Sequence, residues 1–184
     1  LLWVFGFGGG LRSNVSFNEI NYQVFIYPGI LAMSILFTSV FFGMYIVWDR
    51  KIDILKEILV APIPRTAIFV GKVLGGTTDS MIQGTIMLII GVALGVSFTV
   101  TGTLLVLLFL TMLAVGLVSV GLILGSIVTS PEGFGAIVSF LVYPMFIFSG
   151  ALFPLENLPL WLSLVTYLDP VTYAVDGIRG ALLG

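Results

Sequence analysis

Asp49, Arg50, Lys51, Asp53, Lys56, Glu57 and Arg65 are seven of the sixteen charged residues in the chain. All lie in one stretch, WDRKIDILKEILVAPIPR, with apolar runs on both sides. Side chains of these types can move protons, ligate metals or hold a partner by charge. The missing residue types narrow that choice. With no histidine and no cysteine, the chain has no imidazole or thiolate ligands, no disulfide, no histidine-based triad and not the commonest general base.

The remaining chemical motifs are weak. Gly71-Lys72 suggests a phosphate loop, but Thr66 stands where the earlier glycine is needed and Val73 follows the lysine, so that route to ATP is closed. Ser149-Gly150 has no histidine to serve as its base. Asp176 and Arg179, at i and i+3, form a local ion pair worth a few tenths of a kcal/mol when exposed. DGIRG resembles superficially the motif of membrane phosphotransferases, without their further aspartates. Asp79 is the one ionisable residue inside an expected membrane span. Such acids are functional candidates, although its place near the inner end, in reach of water and of Lys72, makes it read as a boundary residue. Thr77, Thr78, Ser80 and Gln83 give the same span a polar start, with Thr78, Asp79 and Gln83 able to face a translocation path.

The elements that position these residues are apolar. The chain of 184 residues is 59% hydrophobic and 9% charged, with mean hydropathy +1.20. A soluble domain carries about 25% charge, so lipid is the solvent that fits. A net charge of -2 leaves no basic surface for nucleic acid. A bilayer core needs about 20 apolar residues of helix. Four segments meet that length: 28–48, 77–96, 104–128 and 133–153. They are continuous apolar runs, not the alternation of a barrel, and backbone amides in lipid must pair within their own segment. The expected fold is an all-α, polytopic integral membrane helix bundle. The residues 1–11, LLWVFGFGGGL, read as the tail of an apolar segment that starts upstream, and VTYAVDGIRGALLG as one that continues beyond the end. The chain is expected to be a fragment of a longer membrane protein.

Five of the seven Lys and Arg residues lie in the loop 49–72. Positive loops stay cytoplasmic, which places 97–103 outside, 129–132 inside and 154–169 outside, in a cell membrane. Proline-broken and bearing Trp161 and Tyr167, segment 154–169 reads as short helices at the outer membrane face. A last span, starting at 170–184, returns the chain to the cytoplasm, for six spans in all. Gly91 with Gly95 and Gly121 with Gly125 are small-xxx-small pairs that let helices approach closely, read here as packing within one subunit.

Placed on one helix, 49–60 puts Ile52, Leu55, Ile58 and Leu59 on an apolar stripe and charges on much of the rest. Asp49 and Asp53 suit the start of that helix, and Pro62 and Pro64 end it. One reading is a positive anchor on lipid headgroups. Acidic residues nearly balance the basic ones, however, which weakens attraction to anionic lipid. The APIP break also fixes a rigid exit. Both features favour a docking surface for a protein.

Here the residues carry a resemblance. DRKIDILKEILVAPIPRTAIFVGKVLGG is similar to the first cytoplasmic loop of type-2 ABC transporter permeases. The sequence YPMFIFSGALFPLENLPLWLSLVTYLDPVTYAVDGIRGAL resembles their closing signature, on which Ser149, Gly150, Pro154, Asn157, Pro159, Pro170 and Arg179 fall. Ile52 and Asp53 depart from the pattern, which often has Gly followed by Thr or Phe there. The resemblance covers nearly the whole chain and is closest to permeases for daunorubicin-type drug efflux (multidrug resistance) and for nodulation-factor or polysaccharide export. It implies the permease subunit of an ATP-driven exporter, not itself an enzyme, which pairs with a second permease subunit as a homo- or heterodimer. A separate cytoplasmic ATPase would bind ATP and Mg, leaving this chain without a cofactor or metal. It implies that Asp49, Arg50, Leu55, Glu57, Leu59, Pro62 and Arg65 lie in or beside the ATPase-coupling element, and that 154–169 forms re-entrant helices near the outer exit. The rival is an ion-coupled secondary transporter, which needs buried acids near the midplane and broken helices. A membrane enzyme needs a carboxylate, histidine or metal cluster that the sequence does not offer.

Overall fold

Apolar runs of this length leave each backbone amide no partner outside its own segment. In the computed structural model they are accordingly helices. The structure describes residues 16–17, 20–93, 96, 99–151 and 160–183. Among the described residues a two-residue strand pair comes first, β1 (Ser16–Phe17) antiparallel to β2 (Ile20–Asn21). Eight helices follow: α1 (Tyr22–Phe41), α2 (Met44–Lys51), α3 (Ile54–Val60), α4 (Arg65–Ala93), α5 (Val100–Ile127), α6 (Pro131–Phe148), α7 (Leu160–Leu168) and α8 (Pro170–Leu183). Among the described residues four stretches are long and apolar enough to cross a bilayer: 26–51 (most of α1 with α2), α4, α5 and α6.

Helix starts follow the local sequence. The Thr99 hydroxyl accepts from the Gly102 amide and the Ser130 hydroxyl from the Gly133 amide, capping α5 and α6, the usual N-cap use of such residues. Pro131 and Pro170 open their helices, where a missing N–H costs nothing. α5 is the hub, packing against α1, α4 and α8. Its Val106, Leu110, Ala114 and Leu117 are buried in one core with Ile35, Leu36 and Val40 of α1, and with Phe134, Val138, Val142 and Phe146 of α6.

The first span is not one straight helix. Between α1 and α2 the chain tightens to i→i−3 bonds, Gly43 to Val40 and Ile46 to Gly43. Here it crosses α5 at backbone contact. A Cβ on Gly43 would strike Gly121, one on Gly121 would strike Val40, and one on Gly125 would strike Gly43. The Gly121–Gly125 pair therefore packs the interior of this chain. Gly91 instead makes room for the Tyr27 ring, whose hydroxyl donates to the Met87 carbonyl at 2.7 Å. Gly95 lies outside the described residues.

Two expectations change. The second span begins at Arg65, not Thr77, so residues 65–72 of the expected loop are the first turns of α4. At 29 residues, α4 is about 43 Å long, and a run of polar residues inside it had looked like its beginning. The second change concerns α8. Gly177 lies against Phe109 and Ala181 against Gly102, so α8 runs antiparallel to α5, back toward the end from which α5 starts. It does not begin a return crossing. α7 and α8 form a helical hairpin whose bend, at Asp169, lies about 12 Å from Gly177 at 1.5 Å per residue, near the level of Leu117 of α5. Among the described residues this hairpin runs from 160 to 183.

Candidate functional site

Two places gather the polar residues, an elbow at the α2–α3–α4 junction and a belt halfway along α4. At the elbow, the expected single helix 49–60 is broken. α2 ends at Lys51, and α3 starts after Asp53, which takes a left-handed conformation with φ 62°. A non-glycine residue there costs roughly 1 kcal/mol. The break divides the residues expected to act together. Asp49 is in the last turn of α2, the wrong end for the dipole role expected of it. Its carboxylate instead pairs with Lys72 of α4 at 2.6 Å, both side chains about one-fifth exposed. Arg50 reaches the end of α5 and donates to the carbonyls of Ser126 (2.7 Å), Val128 (3.1 Å) and Gly125 (3.4 Å). A guanidinium there satisfies orphan carbonyls and the negative end of the helix dipole. Leu55 is half-buried against Ile46, Val73, Val118 and Leu122.

Asp49, Arg50 and Leu55 therefore anchor the elbow, and only the rest of the expected coupling set faces outward. Glu57, Leu59, Pro62 and Arg65 are exposed. Ile54, Val60 and Ile63 are exposed beside them; the stripe argument missed these because it assumed one continuous helix. Ile52 caps α2 and is exposed. Lys56 pairs with Asp53 at 2.7 Å on the surface, and Lys51 stands over the Trp48 ring at 5.3 Å.

The belt lies between α1 and α4. The Thr38 hydroxyl donates to the Gln83 carboxamide oxygen. Ser39 and Ser80, both fully buried, share a hydrogen bond at 2.8 Å. The Thr77 hydroxyl is buried without a partner. Thr78 is exposed and bonds only its own helix, at Leu74. Asp79 and Gln83 are exposed. The level of this belt follows from contacts to α5. Gly76 lies against Val118 and Gly84 approaches Leu110, while Met81 receives the Thr111 hydroxyl. Asp79 is therefore level with about Ala114, the middle of α5. That corrects its expected place near the inner end, and Lys72, two turns away, is committed to Asp49. An ionised carboxylate turned to lipid at that depth costs on the order of 3 kcal/mol. Thr38 and Ser39 were legible as polar residues inside an apolar run; their meeting with α4 was not.

The signature residues at the other end do structural work. Gly150 takes φ 71° after α6, the left-handed turn that glycine favours. The Ser149 hydroxyl donates to the Phe146 carbonyl at 2.8 Å. Arg179 donates to the Gly150 carbonyl at 3.0 Å and pairs with Asp176 at 3.4 Å. Pro170 opens α8, and Asp169 before it accepts from the Val171 amide at 2.9 Å. Pro154, Asn157 and Pro159 lie outside the described residues. Among the described residues no group of acids could hold a metal ion.

The model of the family described as ABC-2 type transporter matches residues 2–183. The protein named "Putative transport permease ycf38" of Cyanophora paradoxa is 30% identical over 97% of this chain and 63% of its own length. "Inner membrane transport permease YadH" of Escherichia coli (strain K12) is 29% identical over 97% of this chain and 70% of its own. "Probable multidrug ABC transporter permease YbhR" of the same organism is 29% identical over 86% of this chain and 43% of its own. The chain thus spans less than two thirds of the first of these relatives. No solved structure matches it. The helical bundle, the four apolar crossings and a family match over almost every residue lead to one conclusion: this chain is an integral membrane protein and belongs to the ABC-2 type transporter family.

Proposed function

We propose that this chain is the membrane subunit of an ATP-binding cassette exporter, driven by a separate ATPase that docks on the elbow. One observation carries the reading: α3 is anchored from behind and unpartnered in front. Asp49 ties its base to α4, Arg50 ties it to α5, and Leu55 seats it on the bundle. Its outer side shows Ile54, Leu59, Val60 and Ile63 beside Lys56, Glu57 and Arg65. A mixed apolar and charged face on a rigidly held helix suits a protein partner. Arg65, the first residue of α4, puts positive charge at the positive end of a helix dipole, which an acidic partner would relieve. A push on α3 passes directly into α4 and α5.

In this reading the elbow is cytoplasmic, ATP and Mg bind to the partner, and a second permease subunit completes the path. Thr78, Asp79 and Gln83 line that path, because an exposed midplane acid is tolerated where water or protein covers it. Drugs, lipids and glycans are the cargo classes considered; the relative named as a multidrug permease favours the first. The test is ATP hydrolysis by the partner reconstituted with the full-length permease. Glu57→Lys and Leu59→Asp should each abolish cargo-stimulated hydrolysis while insertion is unchanged; stimulation retained in both would end the docking reading.

Asp79 at mid-level also favours a second reading, an ion-coupled carrier. The unbroken α4 opposes it, since such carriers place their sites at broken helices. Cargo transport in vesicles without any ATPase would decide for the carrier.

A further inference from the structure

We propose that Asp79 forms, with Gln83, Thr38 and the Phe42 ring, a recognition site for lipophilic organic cations halfway across the membrane. The proposal rests on reading the α1–α4 seam as the transport path and adds what the path selects. The chain has seven Lys and Arg residues. Arg50 is held by the carbonyls ending α5, Lys56 by Asp53, Lys72 by Asp49 and Arg179 by Asp176 and Gly150. Lys51 lies over Trp48 at the elbow. Arg65 stands fourteen residues from Asp79 along α4, about 21 Å away. Arg12 lies outside the described residues, in a polar stretch and not an apolar run. No described cation answers Asp79, although it is exposed level with the middle of α5, and at the centre of a bilayer a carboxylate most needs one.

Polar and aromatic side chains stand within one turn of Asp79 on either side. Gln83 lies one turn from Asp79 along α4, its carboxamide oxygen accepting from the Thr38 hydroxyl. One turn in the other direction, the half-buried Phe42 ring covers Gly76 and reaches Gly75, with Tyr45 edge-on to it at 5.0 Å. A Cβ on Gly75 would meet only the tip of that ring, at 3.8 Å, and one on Gly71 would meet nothing, so approach to Asp79 along α4 is open. A carboxylate one helical turn from an aromatic ring, on apolar ground, matches a cation whose charge is spread over a greasy body. A small hydrated ion would need more oxygen ligands than this site presents.

The experiment uses the full-length permease in lipid nanodiscs, without the ATPase. Radiolabelled tetraphenylphosphonium is titrated against protein-free discs as background. Tetraphenylborate, of the same shape and opposite charge, is the competitor. Saturable cation binding is expected, weakened about tenfold or more by Asp79→Asn, largely kept by Asp79→Glu, and not displaced by tetraphenylborate. Gly75→Leu, which narrows the approach without touching the carboxylate, should weaken it as well. Binding that is absent, indifferent to Asp79→Asn or equal for the two probes overturns the proposal, including the case where another segment of the full protein already covers Asp79. Because no nucleotide is involved, loss of ATPase stimulation with cation binding intact counts against the elbow reading alone.

Discussion

Asp49 and Asp79 are both carboxylates at the seam of the first span and α4, yet their surroundings differ. Asp49, at the elbow, has Lys72 at 2.6 Å and is largely enclosed. Asp79, two turns from that lysine on the same side of α4, is exposed at the level of the middle of α5 with no described cation beside it. At the elbow every inward-facing charge is answered, and what remains unanswered points outward. At the belt a charge with no described cation beside it sits level with the middle of α5, and a charge in the centre of a bilayer is costly. The elbow is built as a rigid attachment, and the belt as a place that something else must complete.

The largest effect should come from breaking the frame that holds the two regions in register. Gly121→Val sets a branched side chain against the Val40 backbone and should cost about 3 kcal/mol or more, seen as loss of monodisperse protein in detergent. Gly116→Val, facing open space on the same helix, should leave the elution profile unchanged. Next, Lys72→Met leaves Asp49 partly buried and alone, a loss of about 2 kcal/mol read as a lower melting temperature. Adding Asp49→Asn should recover much of it, because the two changes share one interaction. Asp79→Asn should act in the opposite sense to the loss of Lys72, leaving the melting temperature equal or higher, since removing an unpaired charge removes its desolvation penalty. A fall like that of Lys72→Met would mean that the two carboxylates are not different in kind. A smaller gain, about 0.5–1 kcal/mol, is expected from Asp53→Gly, which relieves the left-handed strain at φ 62°. The smallest structural effect belongs to labelling. Lys56→Cys, exposed on α3, should resist impermeant reagents in intact cells, and Asn157→Cys should react; the reverse pattern inverts the orientation.

Much of the fold was legible because lipid imposes one rule, that a long apolar run must be a helix. The third and fourth runs came within a few residues of α5 and α6. The second misled because Thr77, Thr78, Asp79 and Ser80 look like a boundary, although Arg65 to Gly76 continue the helix beneath them. In the candidate site, Glu57, Leu59, Pro62 and Arg65 stood out as charge, bulk and breaks near a span end. Ile54, Val60 and Ile63 did not, because which side of α3 faces outward depends on the turn at Asp53 and on Leu55 seating itself on α2, α4 and α5.

By itself the sequence determined the helical membrane bundle, the place of the charged elbow and the family, because hydropathy, proline and local motif are properties of neighbouring residues. Tertiary structure alone decided that Asp49 holds Lys72, that Arg50 caps α5, that α8 turns back along α5, and that Asp79 lies level with the middle of α5. Each depends on which helices meet and at what height. Glycine contacts at Gly43, Gly121 and Gly125 set that height, through surfaces brought together from distant parts of the chain.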